Sequence, residues 1–277
     1  MRQQWDILRE TQWNTLVVMD ACRYDKLHRV APELAQEQVL AGANVTYRWI
    51  NRFANQFRGE DILFFTANPV CDRELQNHLR KGLLHWEIVP LYRTHWGTWG
   101  DCDAPTVHPR DVVRAVMDYT TLYGQPHRMV VWFMQPHAPY IGTNAIPYQT
   151  WGGGMDDELT KQVKKMSVLK RAFLAGEVTA RQVELAYEGN VDVVVKEVRA
   201  LLPELRGRTI VTADHGEMLG EHGEIEHSAP PIYPELMTVP LSVHVGLEYE
   251  PAPIKRAPAW PDPDPLLLKK LHALGYA

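Results

Sequence analysis

Five short apolar runs constrain this chain most: TLVVMD (15–20), DILFFTA (61–67), HWEIVPLY (85–92), RMVVWFMQ (128–135) and RTIVTAD (208–214). Each is rich in β-branched or aromatic residues and nearly continuous rather than alternating, as in a strand with both sheet faces covered. Helical patterns lie between them. Residues 107–123 fit one, with Pro109 near its start and Gly124 just past its end. Residues 179–202 fit another, where Val183, Leu185, Ala186, Val191, Val194 and Val195 make an apolar stripe. Strands alternating with helices predict an α/β fold with a mainly parallel central sheet. No internal repeat or domain boundary is evident, so one domain over 1–277 is expected. The stretch from about 142 to 175, with its GGGM, reads as an insertion. PAPIKRAPAWPDPDP (251–265) reads as an extended surface strap, and the final LLLKKLHALGYA as a short amphipathic helix.

Composition narrows the function classes. The chain is 45% hydrophobic and 23% charged, with a formal net charge of -5. That balance lacks the basic excess of a nucleic-acid binder. Cys22, Cys71 and Cys102 are far apart and odd in number, and no CxxC pair occurs, so neither a thiolate zinc site nor a disulfide framework is expected. No signal-peptide core and no apolar run of about 18 residues is seen, which predicts a soluble, cytoplasmic protein without a membrane span.

In open parallel sheets, function gathers at the carboxyl ends of strands. Three predicted strands end in polar groups: the first at Asp20, the fourth in QPHAPY with His137, and the fifth at Asp214-His215. Asp and His together suit zinc or manganese, and carboxylates also admit magnesium or calcium. A metal there could activate a hydroxyl and polarise a phosphoryl or sulfuryl oxygen. Each group also has a purely structural reading. Asp20 could be a helix cap, and Asp214-His215-Gly216 could be a turn with Glu217 starting a helix. His137 could be held by backbone hydrogen bonds, while His222 and His227 could be solvated.

The stretch TIVTADHGEMLGEHGEIEHSAPPIYPELMTVPLSVHV resembles the C-terminal metal motif of the sulfatase branch of the alkaline phosphatase superfamily. LAYEGNVDVVVKEVRALLPEL (185–205) is similar to the helix before that motif, and VVWFMQPHAPYIG to the strand carrying a substrate-facing histidine. NTLVVMDACRYDKL is similar to the opening strand with its metal aspartate, and LHALGYA to a common sulfatase ending. The matches run along almost the whole chain in the family's order. The resemblance implies an alkaline phosphatase-like sandwich with helices on both faces of the sheet. It implies Asp20, Asp214 and His215 as metal ligands, with one or two divalent ions bound. His137 and His227 would contact the transferred group or the leaving oxygen, or His227 would ligate a second metal. Arg23 could stabilise anionic charge, although a salt bridge is the simpler reading.

The sequence departs from sulfatases at the nucleophile. None of the three cysteines begins a Cys-x-Pro-x-Arg pattern, and Ala21 stands where many sulfatases have a second aspartate. Phosphatase, phosphodiesterase and phosphoglycerol-transferase relatives use an unmodified Ser or Thr in a small-residue loop opening a helix. LAGANVTYRWINRF offers Thr46 at that place, as nucleophile and metal ligand, and a helix N-terminus would help hold an anion. The alternative is that Thr46 is only an N-cap.

The resemblance therefore implies a metal-dependent hydrolase of phosphate or sulfate esters, acting on a small molecule or on a glycan or lipid-headgroup ester. Sulfatase activity proper, phosphoglycerol or phosphoethanolamine transfer, and a degenerate non-catalytic binding module are the alternatives. Specificity is expected in the 142–175 insertion and the 93–106 loop, RTHWGTWGDCDAPT.

Overall fold

The computed structural model describes residues 1–99, 102–146, 167–227 and 232–256. Its strands are β1 (Arg2–Gln3), β2 (Thr15–Met19), β3 (Glu37–Leu40), β4 (Leu63–Thr66), β5 (Glu87–Pro90), β6 (Trp96–Trp99), β7 (Cys102–Val107), β8 (Met129–Phe133), β9 (Arg208–Thr212), β10 (Met218–Leu219), β11 (Ile225–Glu226) and β12 (Thr238–Val245). The helices are α1 (Gln4–Glu10), α2 (Tyr24–Val30), α3 (Thr46–Gln56), α4 (Pro69–Arg80), α5 (Pro109–Tyr123), α6 (Val168–Leu174), α7 (Ala180–Leu201) and α8 (Pro234–Met237).

All five apolar runs become strands of one eight-stranded sheet, ordered β1-β3-β12-β9-β2-β8-β4-β5. The run β9-β2-β8-β4-β5 is parallel throughout, so the mainly parallel α/β sheet is as expected. β12 runs antiparallel to both of its neighbours, β9 and β3. Two reversals restore the sense, so β3 points the same way as the parallel block. The carboxyl ends of β3, β9, β2, β8 and β4 therefore lie along one edge.

Helices cover both faces, as adjacent residues of β4 show. Successive strand side chains point to opposite faces. Phe64 meets Phe53 of α3, ring centroids 6.5 Å apart, whereas Phe65 meets Tyr119 of α5 at 5.7 Å. α3 and α5 thus lie on opposite sides of the sheet. The buried positions of α3 are Thr46, Trp49, Ile50, Phe53 and Ala54, a stripe with helical spacing. Trp49 packs on Phe53 and against Trp132 of β8, with centroids at 5.1 and 5.3 Å. The stripe that anchors α3 also turns Thr46 inward.

Several local expectations change. The polar-looking N-terminus carries β1 and α1, and Trp5, Ile7 and Leu8 are buried. The 107–123 pattern starts as a helix only at Pro109, because Val107 ends β7 and His108 caps α5 by accepting from the Arg110 amide. Glu217 starts no helix: the chain continues into β10, paired antiparallel with β11. The 93–106 loop contributes the β6–β7 hairpin. Much of the 142–175 insertion, the end of the 251–265 strap and the expected C-terminal helix lie outside the described residues. No helix among the described residues is long and apolar enough to cross a membrane.

α7 begins with a capping box between Thr179 and Gln182 and passes under the loop that follows β8. There Gly189 touches backbone directly: a Cβ would fall 2.2 Å from the Thr143 carbonyl oxygen. Gly189→Ala is expected to force the helix and the loop apart and to destabilise the fold by about 1–3 kcal/mol, read as a lowered midpoint in urea unfolding. An unchanged midpoint would contradict this packing.

Candidate active site

Three of the parallel strands deliver side chains to one place. Asp20 follows β2, Asp214 and His215 follow β9, and His137 follows β8. Thr46 enters from the first turn of α3. Asp20, Asp214 and His215 are each 0% exposed, and one ligand atom from each lies within 4.8 Å of the others.

Thr46 does not cap its helix. Val45 is the N-cap residue and makes no side-chain cap. The Thr46 hydroxyl instead donates to Asp214 Oδ2 at 2.8 Å and stands 3.2 Å from His215 Nε2. Asp214 Oδ1 accepts from the amides of Ala21 and His215, both at 3.0 Å. His215 Nδ1 donates to the Gly216 carbonyl at 2.8 Å, which leaves Nε2 with its lone pair toward the cluster.

Asp20 Oδ2 accepts from Asn68 Nδ2 at 2.6 Å and Trp132 Nε1 at 2.9 Å. Its other oxygen, Oδ1, is buried with no hydrogen-bond partner. Burial, and then the charge of Asp214, push the Asp20 carboxyl well above the usual range. Two buried carboxylates, an orphaned carboxylate oxygen and an oriented imidazole form a donor set that fits a divalent cation.

A second group adjoins the first. His137, Glu217 and His227 also bring ligand atoms within 4.8 Å of one another. His227 Nδ1 lies 3.0 Å from Glu217 Oε1. The His227 ring sits between those of His215 and His137, with centroid distances of 4.3 and 5.1 Å. Burial, and then the neighbouring His137, push His227 down to about 3, while burial pushes Glu217 up to about 7. Thr46, His137 and His227 open onto a cavity of about 160 Å³ shared with Tyr47, Asn68 and Arg73, its remaining walls being Val45, Val70 and Met134. A larger cavity of about 450 Å³, lined by Leu202, Leu205, Thr209 and His244 among others, lies at the opposite end of β9. Neither the 93–106 loop nor the 142–175 insertion contributes a described residue to the cavity beside Thr46.

The remaining sequence candidates are structural. Arg23 pairs with both oxygens of Asp25 at 2.9 Å and with Glu221 at 2.6 Å, so it is a salt-bridge residue. His222 is 52% exposed, adopts φ 57° in a turn and stacks on Tyr233 at 4.3 Å.

Four residues of the site had no sequence signal of their own: Glu217, Asn68, Trp132 and Asn190. Asn190 of α7 is 0% exposed and secures the His137 loop. Its amide nitrogen faces the carbonyls of Pro136, His137 and Pro139 at 3.3, 3.1 and 3.0 Å. Its oxygen accepts from the amides of Ile141 and Gly142 at 2.7 and 3.1 Å. Tyr187, one turn earlier, donates to the Ala21 carbonyl and accepts from the Arg23 amide, which secures the Asp20 loop.

No protein-family model and no curated protein matches the sequence. Solved structures do. The soluble domain of lipooligosaccharide phosphoethanolamine transferase A from Neisseria meningitidis matches at 13% identity and a TM-score of 0.51, over 83% of this chain and 76% of that one. The integral membrane protein lipooligosaccharide phosphoethanolamine transferase A from the same organism matches at 14% identity and a TM-score of 0.52, over 84% of this chain and 47% of that one. This chain therefore spans about half the length of that membrane protein. The likeness is one of fold, and the fold is the alkaline phosphatase-like α/β sandwich that the sequence resemblance implies.

The burial of acids gives the metal-free protein a pH signature. Glu217 is held at about 7 and Glu226 at about 8, both chiefly by burial. A carboxyl whose folded pKa exceeds its unfolded value binds more protons folded, so stability falls as pH rises through the folded value. Histidines held low act in the opposite sense, and their effect fades about one pH unit above 6.5 as the unfolded ring loses its charge. From about pH 6.5 to 8 the metal-free protein should lose about 1 kcal/mol of stability on balance, measured by urea unfolding. Saturating zinc should shrink that loss. A metal-free stability that rises across the window would contradict the burial of these carboxyls.

Proposed function

We propose that this chain is a metal-dependent enzyme acting on phosphate or sulfate esters, with Thr46 as its nucleophile. The observation that carries the reading is the Thr46 hydroxyl, 2.8 Å from Asp214 Oδ2 and 3.2 Å from His215 Nε2 when it could have capped α3. Asp20, Thr46, Asp214 and His215 would hold a divalent ion, zinc or manganese by their donor types. With that single ion bound, His137, Glu217 and His227, whose ligand atoms also converge, remain available to move protons. When bound, such an ion supplies Lewis-acid polarisation of an ester oxygen and lowers the pKa of a nearby hydroxyl.

The chain's own groups account for the rest. Asp214 orients the Thr46 hydroxyl and accepts its proton as Oγ1 forms a bond to phosphorus and the ester bond to the leaving oxygen breaks. Glu217, held at about 7, carries a proton near neutral pH and lies 3.0 Å from His227 Nδ1. Taking that proton at Nδ1 lets His227 give its Nε2 proton to the leaving oxygen, so the alcohol departs neutral, Glu217 is left as a carboxylate, and the still anionic phosphoryl group stays bonded to Thr46. Water or an acceptor alcohol then releases the group from Thr46. Phosphate is favoured over sulfate because none of the cysteines stands in the sulfatase nucleophile pattern. Transfer to an acceptor is the second reading, favoured by the fold likeness to a phosphoethanolamine transferase domain.

Thr46→Ala should lower turnover of an aryl phosphate by at least about 10³-fold, in line with removal of a covalent nucleophile. Zinc content should fall far less. Mass spectrometry of acid-quenched wild-type protein should show a phosphoryl adduct on Thr46. Activity that survives Thr46→Ala would overturn the nucleophile assignment. A wild-type protein that binds no divalent ion would point to a non-catalytic binding module instead.

A further inference from the structure

The cavity beside Thr46 has an unusual charge pattern. Among its described lining residues no carboxylate occurs, and Arg73 of α4 carries the one permanent charge. Arg73 and Val70 stand three residues apart on one face of α4, so both project to the same side of that helix. The Arg73 side chain is 40% exposed at the cavity rim. Its Nε and Nη2 share a single oxygen of the adjacent Glu74, each at 3.2 Å. The other Glu74 oxygen accepts from Asn51 Nδ2 at 3.0 Å, so Glu74 divides itself between two donors. A guanidinium offers a five-donor fork, and one shared oxygen leaves most of it open.

Size adds a second constraint. About 160 Å³ is well below the roughly 300–1,000 Å³ of drug-sized ligand pockets. It admits the reacting group with a small substituent rather than a glycan chain. Tyr47, Val70 and Met134 supply an apolar wall for that substituent, and Arg73 stands at its outer end.

We propose that this cavity is a subsite for a second anionic group on the ester, a carboxylate or a further phosphate or sulfate, with Arg73 as the specificity-determining residue. The proposal rests on the reading of Thr46 as nucleophile and narrows its substrate class. A substituent ending in an ammonium group would meet a cation and find no carboxylate among the described lining residues to receive it. The electrostatics of the cavity thus separate this chain from an enzyme built for a phosphoethanolamine headgroup.

The test compares phenyl phosphate, 3-carboxyphenyl phosphate and 2-aminoethyl phosphate with the zinc-loaded full chain, following phosphate release. The expected order of kcat/KM is carboxylate-bearing, then neutral, then ammonium-bearing. In Arg73→Ala the ratio of the carboxylate-bearing to the neutral ester should fall about tenfold, a modest value for a charge-assisted contact at a partly exposed rim. The change should fall mainly on KM, and Arg73→Lys should restore part of it. A ratio unchanged within twofold, or a wild-type preference for the ammonium-bearing ester, would overturn the subsite. If wild-type protein turns over none of the three, the nucleophile reading fails by itself. Calorimetry with phenylphosphonate and 3-carboxyphenylphosphonate then tests the subsite separately. Tighter binding of the carboxylated ligand that is lost in Arg73→Ala supports it, and equal binding of the two ligands overturns it.

Discussion

Two carboxylates at the ends of adjacent parallel strands, Asp20 after β2 and Asp214 after β9, are fully buried side by side, and the architecture around them answers to that pair. Burying a charge costs several kcal/mol unless it is paired or richly hydrogen-bonded. The donors supplied are mostly neutral: the Ala21 and His215 amides and the Thr46 hydroxyl to Asp214, and Asn68 and Trp132 to Asp20. Asp20 Oδ1 is left without any. A pair of neighbouring acids sealed from water, beside an imidazole lone pair rather than a cationic side chain, fits the metal site proposed above. Hydrophobic residues at the same positions would be easier to bury, so the pair is retained at a cost to stability.

One helix holds the surrounding loops to that demand. Tyr187 and Asn190 stand three residues apart on α7, and so project from the same face. Tyr187 ties down the backbone at Ala21, whose φ of 55° puts a non-glycine residue in the left-handed region. That turn aims the Ala21 amide at Asp214. Asn190 ties down the loop bearing His137 through its backbone carbonyls and amides. Gly189, lying between them, lets the helix approach close enough for both. On the other face of the sheet, the aromatic stripe of α3 fixes Thr46 by helical register. The site is therefore positioned by packing on both sides of the sheet, not by the loops alone.

This explains which parts of the site could be read from the residues. Asp20, Asp214 and His137 follow apolar runs that are obvious strands, and their convergence comes from parallel topology. Thr46 stood out only through the resemblance to relatives whose nucleophile lies in a small-residue loop opening a helix. Glu217, Asn68, Trp132 and Asn190 carry no such local mark. Glu217 looks like a helix start, Asn68 like an ordinary cap for α4, and Trp132 like core; each gains its role from a partner distant in sequence. Asn68 does cap α4 through its oxygen, while its amide nitrogen serves Asp20. The sheet's parallel character was legible, but the antiparallel sense of β12 was not, because strand direction leaves no trace in a short apolar run. α1 was missed because a seven-residue helix with three charges in its last five residues reads as polar, although Trp5 and Leu8 are core.

The fold alone does not set the chemistry, since sites are grafted onto folds and must be argued from their own groups. Here the decisive property is a change of electrostatic character across Thr46. Behind its hydroxyl lie Asp20 and Asp214, sealed from water, which favour a cation. In front lies a cavity with no carboxylate among its described lining residues, faced by His137 and His227 and rimmed by Arg73, which favours an anion. An ester with its negative oxygens between the two regions is attracted to both and repelled by neither once the cation is in place. Reversing the molecule would set its oxygens against the acids without a donor to receive them. Under the function proposed above, that asymmetry would set the direction from which an ester approaches, and with it the line along which the Thr46 oxygen would meet phosphorus.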